Sequence, residues 1–227
     1  MAANSMKKIV IEQPKTIRQK VYEHLRKAIF MGEIKPGDRL VESEIGNSIG
    51  TSRTPVREAL HTLEREKLIS AIPRVGYVVK DISKDELEDL SEIRLALETL
   101  ALRWALESDG EGLYRSLHEN ISQSEHLLEI GDIKSFVEMD SHYHEIISKF
   151  ANSERLQELT QSIRQYMIRY QIHSLYDIEN IHRALSGHKK ILKAIEKKDI
   201  SAALLALSNH IKQSKKDIIH YSNLNNF

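Results

Sequence analysis

The chain has 227 residues, enough for one large domain or two small ones with a sizeable core. It contains no cysteine, which excludes disulfides and thiol chemistry and favours a reducing cytoplasm. No apolar run has the length of a membrane span, and the N-terminus lacks the apolar core of a signal peptide, so no membrane partner is expected. The net charge is zero, but residues 1–82 carry 15 basic and 10 acidic side chains, against 18 and 23 in the remainder. A basic first part suits a domain that meets phosphates.

Two elements are predicted before residue 40. A helix over residues 16–31 is indicated by apolar residues at helical spacing: Ile17, Val21, Leu25 and Ile29. Pro36, Gly37 and Asp38 are typical of a turn that ends this first segment.

Residues 40–68 are predicted to form two short helices joined by a tight turn. Gly50 supplies the left-handed residue that ends the first helix. Ser52 is expected to cap the second helix by accepting a hydrogen bond from a free backbone N–H. Pro55 falls in the first turn, where its missing N–H removes no intrahelical bond.

The second helix of this pair has two distinct faces. Val56, Leu60 and Leu63 form an apolar stripe, whereas Arg53 and Arg57 project from another face near the N-terminus. A DNA-recognition helix needs this division, because one face docks on the domain and the other reaches base edges and phosphates. An ordinary helical hairpin with solvated arginines would show the same pattern, so the flanking sequence has to decide.

The flanking residues 69–80 favour DNA binding. They carry β-prone residues on both sides of a turn at residues 73–76, which predicts a short hairpin with Arg74 at its tip. A helix, a helix-turn-helix and a hairpin follow one another in the order of a winged helix-turn-helix domain, expected over residues 10–80.

From residue 84 the pattern is helical to the end, and the fold class is therefore mainly α. A capping box at Ser83 begins the first helix. An antiparallel six-helix bundle over residues 84–222 is predicted, with helices at residues 84–108, 113–130, 133–150, 154–174, 178–197 and 201–221.

Four polar residues interrupt the apolar stripes of the third, fifth and sixth bundle helices: Asp140, His144, His188 and His210. Burying an unpaired carboxylate is costly, and a divalent metal removes that cost. Three histidines and one aspartate suit zinc, or nickel or another late first-row ion. A hydrogen bond in the core would explain any single histidine, but four coincident interruptions favour a metal site.

The first bundle helix has a fifth interruption, Arg94. The predicted face of this helix comprises Leu87, Leu90, Arg94, Leu97, Ala101 and Trp104. A buried arginine needs an anion. Glu98, one turn on, can be that partner; the alternative is a carboxylate or phosphate ligand beside the metal.

With these motifs the chain resembles the GntR family of bacterial transcription regulators, in its FadR-like branch with an FCD ligand-binding domain. The similarity covers residues 15–220, and six bundle helices in place of seven resemble the VanR-type subgroup. The matching segments are residues 52–60 (SRTPVREAL), 74–79 (RVGYVV), 92–94, 97–98 and 140–144, with His188 and His210.

The resemblance implies a homodimeric regulator, expected to be a repressor, that binds a palindromic double-stranded operator. A small carboxylate-containing effector would enter the metal-containing pocket near Arg94 and change the affinity for DNA. The residues that the resemblance assigns to DNA contact are Arg53, Thr54, Pro55, Arg57, Arg74 and Gly76. The wing is joined to the first bundle helix through residues 80–83, which gives a hypothetical route from pocket to recognition helix.

Two other functions compete with this interpretation. One is an all-α metalloenzyme, such as a hydrolase, with an accessory DNA-binding domain. Against it, neither His-Glu pair continues to the HExxH pattern, and no HD pair, nucleophile elbow or phosphate loop is present. The other is an architectural DNA-binding protein with a purely structural metal. We expect no enzyme activity.

Overall fold

The computed structural model describes residues 14–30, 32–80, 84–174 and 177–224, without the side chains of residues 168–173 and 221–224. Among these residues, 14–29 and 33–80 form one compact unit and the others form a second. The described chain contains eight helices and three short strands, which confirms the mainly α fold class.

Three helices build the first unit: α1 (Ile17–Phe30), α2 (Glu42–Ile49) and α3 (Arg53–Arg65). The predicted apolar stripe of α3 is fully buried and packs in the core of this unit. Gly50 ends α2 with a φ of 68°, as predicted. Ser52 occupies the N-cap position of α3, but its side chain makes no capping hydrogen bond, so that detail was wrong. The third helical position, a usual donor to the cap, is Pro55 and has no N–H.

A three-stranded antiparallel sheet completes the first unit. The predicted hairpin is present as β2 (Ile69–Ile72) and β3 (Gly76–Val79). The additional strand β1 (Arg39–Leu40) pairs with the other side of β3, giving the order β1-β3-β2. Two residues are too few to show strand periodicity, so sequence reasoning missed β1. The winged helix-turn-helix architecture is confirmed.

The wing turn requires unusual backbone conformations. Arg74 has a φ of 66° and Gly76 a φ of 125°. A Cβ atom on residue 76 would lie 2.7 Å from the carbonyl oxygen of Leu40. Gly76 therefore has a structural reason to be glycine, because it lets β1 approach the wing closely.

The second unit is a bundle of α4 (Lys84–Glu129), α5 (Ile133–Phe150), α6 (Glu154–Ser174), α7 (Ile178–Glu196) and α8 (Ile200–Leu224). Asp109 interrupts α4 with φ −152° and ψ 78°, so α4 consists of two helices across a kink. The predicted six-helix bundle is thus confirmed. The break is shorter than the four residues expected at 109–112, because Asp109 Oδ1 accepts the Gly112 N–H at 2.8 Å and caps the second half at once.

The buried face of α4 differs from the prediction at its far end. The structure buries Leu87, Arg94 and Ala101 as expected, but leaves Trp104 38% exposed. The predicted stripe repeats every 3.5 residues, whereas a straight helix has 3.6 per turn and drifts by about 20° per heptad. Over this length the drift brings Glu98 and Ala105 into the core and moves Trp104 to the side.

Two predictions fall on residues 81–83, the capping box at Ser83 and the connection between wing and bundle, and both lie outside the described residues. No helix in the described part of the chain is apolar enough over sufficient length to cross a membrane.

Candidate functional site

The four predicted ligands are all buried in the bundle. Asp140 and His144 are on α5, His188 is on α7 and His210 is on α8. Each occupies the core-facing stripe of its helix, as the spacing predicted, so helices distant in sequence bring the four side chains to one region.

Three imidazoles converge with metal-ligand spacing. His144 Nε2 lies 3.4 Å from His188 Nε2 and 3.3 Å from His210 Nε2. Nitrogens bound about 2.1 Å from a tetrahedral zinc ion lie roughly 3.4 Å apart, so the three histidines fit one ion. Asp140 is at the edge of this group, with Oδ1 3.6 Å from His188 Nε2. Among the described residues, the group with mutual ligand spacing comprises the three histidines without Asp140.

Glu98 fixes the orientation of the His144 ring. Its Oε2 accepts a hydrogen bond from His144 Nδ1 at 2.6 Å. The Nδ1 proton leaves a lone pair on Nε2, which points toward the other imidazoles. A carboxylate behind a ligating histidine is the usual outer partner of a metal site. The sequence had indicated Glu98 only as a partner for Arg94.

The same carboxylate also pairs with two buried arginines. Glu98 Oε1 accepts from Arg94 Nε at 2.7 Å and lies 3.7 Å from Arg164 Nη1. Burial raises the pKa of Glu98, but Arg94, His144 and Arg164 outweigh it and hold that pKa well below its usual value. The predicted Arg94–Glu98 pair is therefore present.

Arg164 was missed by sequence reasoning, although a signal existed. It interrupts the buried stripe of α6 between Thr160 and Met167, much as Arg94 interrupts α4. Its Nη2 donates to the carbonyl and hydroxyl oxygens of Ser141, each at 2.9 Å. Arg164 thus ties α6 to α5 beside the histidines.

His188 and His210 are held in the neutral form. Burial, reinforced by the neighbouring imidazoles, lowers the pKa of both rings well below the ordinary value. Neutral imidazole is the form that binds a metal. The two rings therefore present nitrogen lone pairs, and no positive charge, to the centre of the histidine cluster.

Close packing fixes the positions of the His188 and His210 rings. The Tyr143 ring stacks on His188 with centroids 3.7 Å apart, and its hydroxyl donates to the His188 carbonyl oxygen at 3.2 Å. A Cβ atom on Gly187 would lie 2.5 Å from His210 Nδ1. Gly187, unusual inside a helix, is therefore explained by the close approach of α8 through this imidazole.

A pocket of about 600 Å³ between α7 and α8 reaches Asp140 and His210. Inside the bundle, Arg94 Nη2 lies 3.4 Å from His144 Nε2, and Arg94 Nη1 is buried without a hydrogen-bond partner. A buried N–H without a partner is costly, so this guanidinium can accept an additional anion.

The predicted DNA-contact residues lie on the first unit. Arg53, Thr54 and Arg57 are exposed on the first turns of α3, Pro55 is half-buried beside them, and Arg74 is exposed at the wing tip. Arg57 donates from Nε and Nη2 to the two carboxylate oxygens of Glu42 at 2.8 Å each. Arg53 Nη2 lies 3.6 Å from Glu42 Oε2. Sequence reasoning did not single out Glu42, although Glu42 is an acidic residue at the first position of α2.

Two family models match the chain. The model described as bacterial regulatory proteins, gntR family, matches residues 17–79, and the FCD domain model matches residues 89–213. The chain belongs to the GntR family of FCD-containing regulators. It is a DNA-binding transcription regulator and not an enzyme, so the metalloenzyme alternative is wrong.

Curated relatives are similar over most of the chain. The HTH-type transcriptional regulator YdhC of Bacillus subtilis is 25% identical over 213 residues, which cover 92% of this chain and 95% of YdhC. The transcriptional repressor RspR of Escherichia coli is 27% identical, covering 89% of each chain. The gluconate operon repressor of B. subtilis is 29% identical, covering 84% of this chain and 79% of the repressor.

Solved structures show the same fold. Escherichia coli McbR/YncC superposes with a TM-score of 0.73 at 23% identity, covering 91% of this chain and 99% of that one. A GntR regulator from Rhodococcus gives a TM-score of 0.72 at 23% identity, covering 89% and 97%.

The shared carboxylate yields a stability prediction. Glu98→Gln leaves Arg94 and Arg164 buried without their anion, so the free energy of unfolding of the bundle should fall by about 3–5 kcal/mol. Trp104 is the chain's only tryptophan and lies on α4, so its fluorescence in urea reports the bundle. Measurements on chelator-treated protein separate this effect from metal loss. Glu88→Gln, an exposed control on the same helix, should change stability little; equal stability of the two variants would contradict the prediction.

Proposed function

We propose that this regulator is a repressor whose affinity for its operator is controlled by a small organic acid bound beside a metal ion in the bundle. The observation that carries the proposal is a cluster of three buried imidazoles beside the Arg94 guanidinium, whose Nη1 has no hydrogen-bond partner. Such a site favours a cation at the imidazoles and an anion at Arg94.

The DNA contacts are assigned to Arg53, Thr54, Pro55 and Arg57 on α3, with Arg74 and Gly76 from the wing. The buried stripe of α3 leaves its N-terminal arginines facing solvent, which supports this assignment. Gly76 would contribute through the shape of the wing and its backbone. An operator on the chromosome also implies a cytoplasmic protein.

The metal is proposed to be zinc, or nickel or another late first-row ion, held by His144, His188 and His210 with Asp140 as fourth ligand. The donor set and the 3.3–3.6 Å separations support this choice. When bound, such an ion would supply positive charge and coordination sites for an acidic ligand. Glu98 would orient His144, and Tyr143 would hold the plane of His188.

We infer that the domain limits are residues 10–80 and 84–222; both family matches fall within them. Membership of the VanR-type subgroup also stays a prediction. Arg94 lies on α4, the first helix after the wing in the sequence, so a ligand that shifts α4 would act on the DNA-binding unit.

The homodimer would form through an apolar stripe on α4: Ile93, Leu97, Leu100 and Trp104. Their 4-3-4 spacing puts the four side chains on one face. Ile93 is 47% exposed and Trp104 38%, whereas Leu97 and Leu100 are partly buried at the edge of the core, so the stripe leaves apolar surface accessible. A two-fold pair of recognition helices suits half-sites about one helical turn apart.

Operator binding should depend on Arg57. Because arginine is the commonest bidentate partner of guanine, Arg57→Ala should weaken operator binding by roughly 1–3 kcal/mol. Helical circular dichroism should stay unchanged, since Arg57 is exposed. Arg18→Ala, which removes one exposed charge from α1, is the matched control in a gel-shift titration. If Arg57→Ala bound the operator with wild-type affinity, the assignment of α3 as the recognition helix would be wrong.

Metal removal should lower the melting temperature of the bundle. An ion that binds only the folded state stabilises it by mass action, about 2.7 kcal/mol at a hundredfold excess over Kd. Elemental analysis of protein purified without chelator should find one ion per chain. His188→Ala should abolish both the metal and the response to chelator, whereas His220→Ala, exposed on α8, should keep both. Metal-free wild type with chelator-independent melting would leave the histidines as a hydrogen-bonded core cluster.

Organic acids should stabilise the metal-loaded protein through Arg94. In a thermal-shift panel, at least one small carboxylate should raise the melting temperature and change operator affinity. Arg94→Lys keeps the charge but loses the bidentate fork, so it should bind that acid roughly tenfold more weakly. Arg103→Lys, exposed on the same helix, should respond as wild type does. An undiminished shift in Arg94→Lys would exclude Arg94 from the effector site.

The α4 stripe should control oligomeric state. Ile93→Glu puts a charge into the proposed interface and should convert a dimer into a monomer in sedimentation at micromolar concentration. Ile130→Glu, at an apolar residue that is 61% exposed elsewhere, should remain dimeric. A monomeric wild type, both free and on DNA, would refute the homodimer.

A further inference from the structure

The Glu42 carboxylate contacts both arginines of the proposed recognition surface. It receives two parallel hydrogen bonds from the Arg57 guanidinium, each 2.8 Å long, and lies 3.6 Å from Arg53. The hydrogen bonds from Arg57 lower the pKa of Glu42, so the carboxylate is charged at neutral pH. This two-pronged geometry fixes the plane of the guanidinium as well as its position.

The exposed fractions of the three side chains show whether Glu42 lies beneath the two arginines or over them. The Glu42 side chain is 15% exposed, whereas those of Arg53 and Arg57 are 67% and 54% exposed. The carboxylate therefore lies behind the arginines, on the protein side. It occupies the Nε and Nη2 edge of Arg57 and leaves the edge that carries Nη1 for another partner.

We infer that Glu42 is a positioning residue for sequence recognition: it holds the Arg57 guanidinium in the orientation that reads a base, and thereby separates operator from other DNA. The inference rests on the proposed DNA contacts of Arg53 and Arg57. A guanidinium fixed before docking loses less conformational freedom on binding, and its outward edge meets a guanine in one orientation.

Phosphate contacts respond to Glu42 in the opposite way. They need positive charge near the backbone and tolerate a mobile side chain, so they do not require the support. Removing the Glu42 charge should strengthen sequence-independent binding through the phosphates. Its loss therefore reduces discrimination between duplexes more than it reduces total affinity.

The test uses a duplex selected from a random library by the full-length wild-type protein, and a scrambled duplex of the same length and composition. Affinities for both are measured across a salt series. In Glu42→Gln, the ratio of selected to scrambled affinity should fall about tenfold, with scrambled binding stronger than in wild type. Glu44→Gln removes the same charge from the same helical turn at an exposed position and should keep the wild-type ratio.

A double variant tests whether Glu42 acts through Arg57. Arg57→Lys keeps the charge but loses the fork, so it should lower the ratio similarly, and adding Glu42→Gln should lower it little further. An unchanged ratio of selected to scrambled affinity in Glu42→Gln overturns the inference. An equal rise in the affinities for both duplexes also overturns it, because Glu42 would then only reduce the attraction of DNA to the arginines. An equal loss in Glu44→Gln would assign the effect to general charge. If the wild type selects no duplex, the proposed function itself fails.

Discussion

The bundle depends on the charge balance around Glu98. One carboxylate, 2% exposed, receives the guanidinium of Arg94, the imidazole of His144 and, at longer range, the guanidinium of Arg164. These groups come from α4, α5 and α6, so one carboxylate contacts two guanidiniums and one imidazole on three helices. Their mutual attraction offsets the cost of removing them from water only because the geometry is close. The orientation of His144, and so of the histidine cluster, follows from this contact.

The histidine cluster adds α7 and α8 to the same region. The ring of His188 stacks on that of Tyr143. The imidazole of His210 packs closely against α7 because residue 187 is glycine. The three imidazole nitrogens lie at ligand spacing from one another, so the cluster could hold a metal ion. The groups that stabilise the bundle and those that would bind a ligand are thus the same.

In the first unit, the core and the exposed arginines lie on different faces of α3. The apolar stripe of α3 holds the domain together, and its arginines contribute nothing to that core. The two hydrogen bonds to Glu42 then give the Arg57 guanidinium a defined orientation that the helix alone would not impose. An exposed guanidinium of this small domain is in this way held in place without being buried.

Local sequence patterns determined the elements and the facing of most side chains. The spacing of Asp140 and His144, and of His188 and His210 within their stripes, predicted burial correctly because helical periodicity fixes direction within one helix. Gly50 and the wing turn were predictable because they are local backbone requirements. The family resemblance supplied the function.

Only the tertiary structure decided which groups meet. The contacts of Arg164 and Glu42 could not be predicted, because their partners lie on other helices at separations in sequence that no periodicity connects. The double role of Glu98 had the same origin, since His144 is 46 residues away. The position of Trp104 depended on cumulative helical drift, and β1 existed only through its pairing with β3. Sequence fixes direction along one helix, whereas contacts between helices depend on how the whole chain packs.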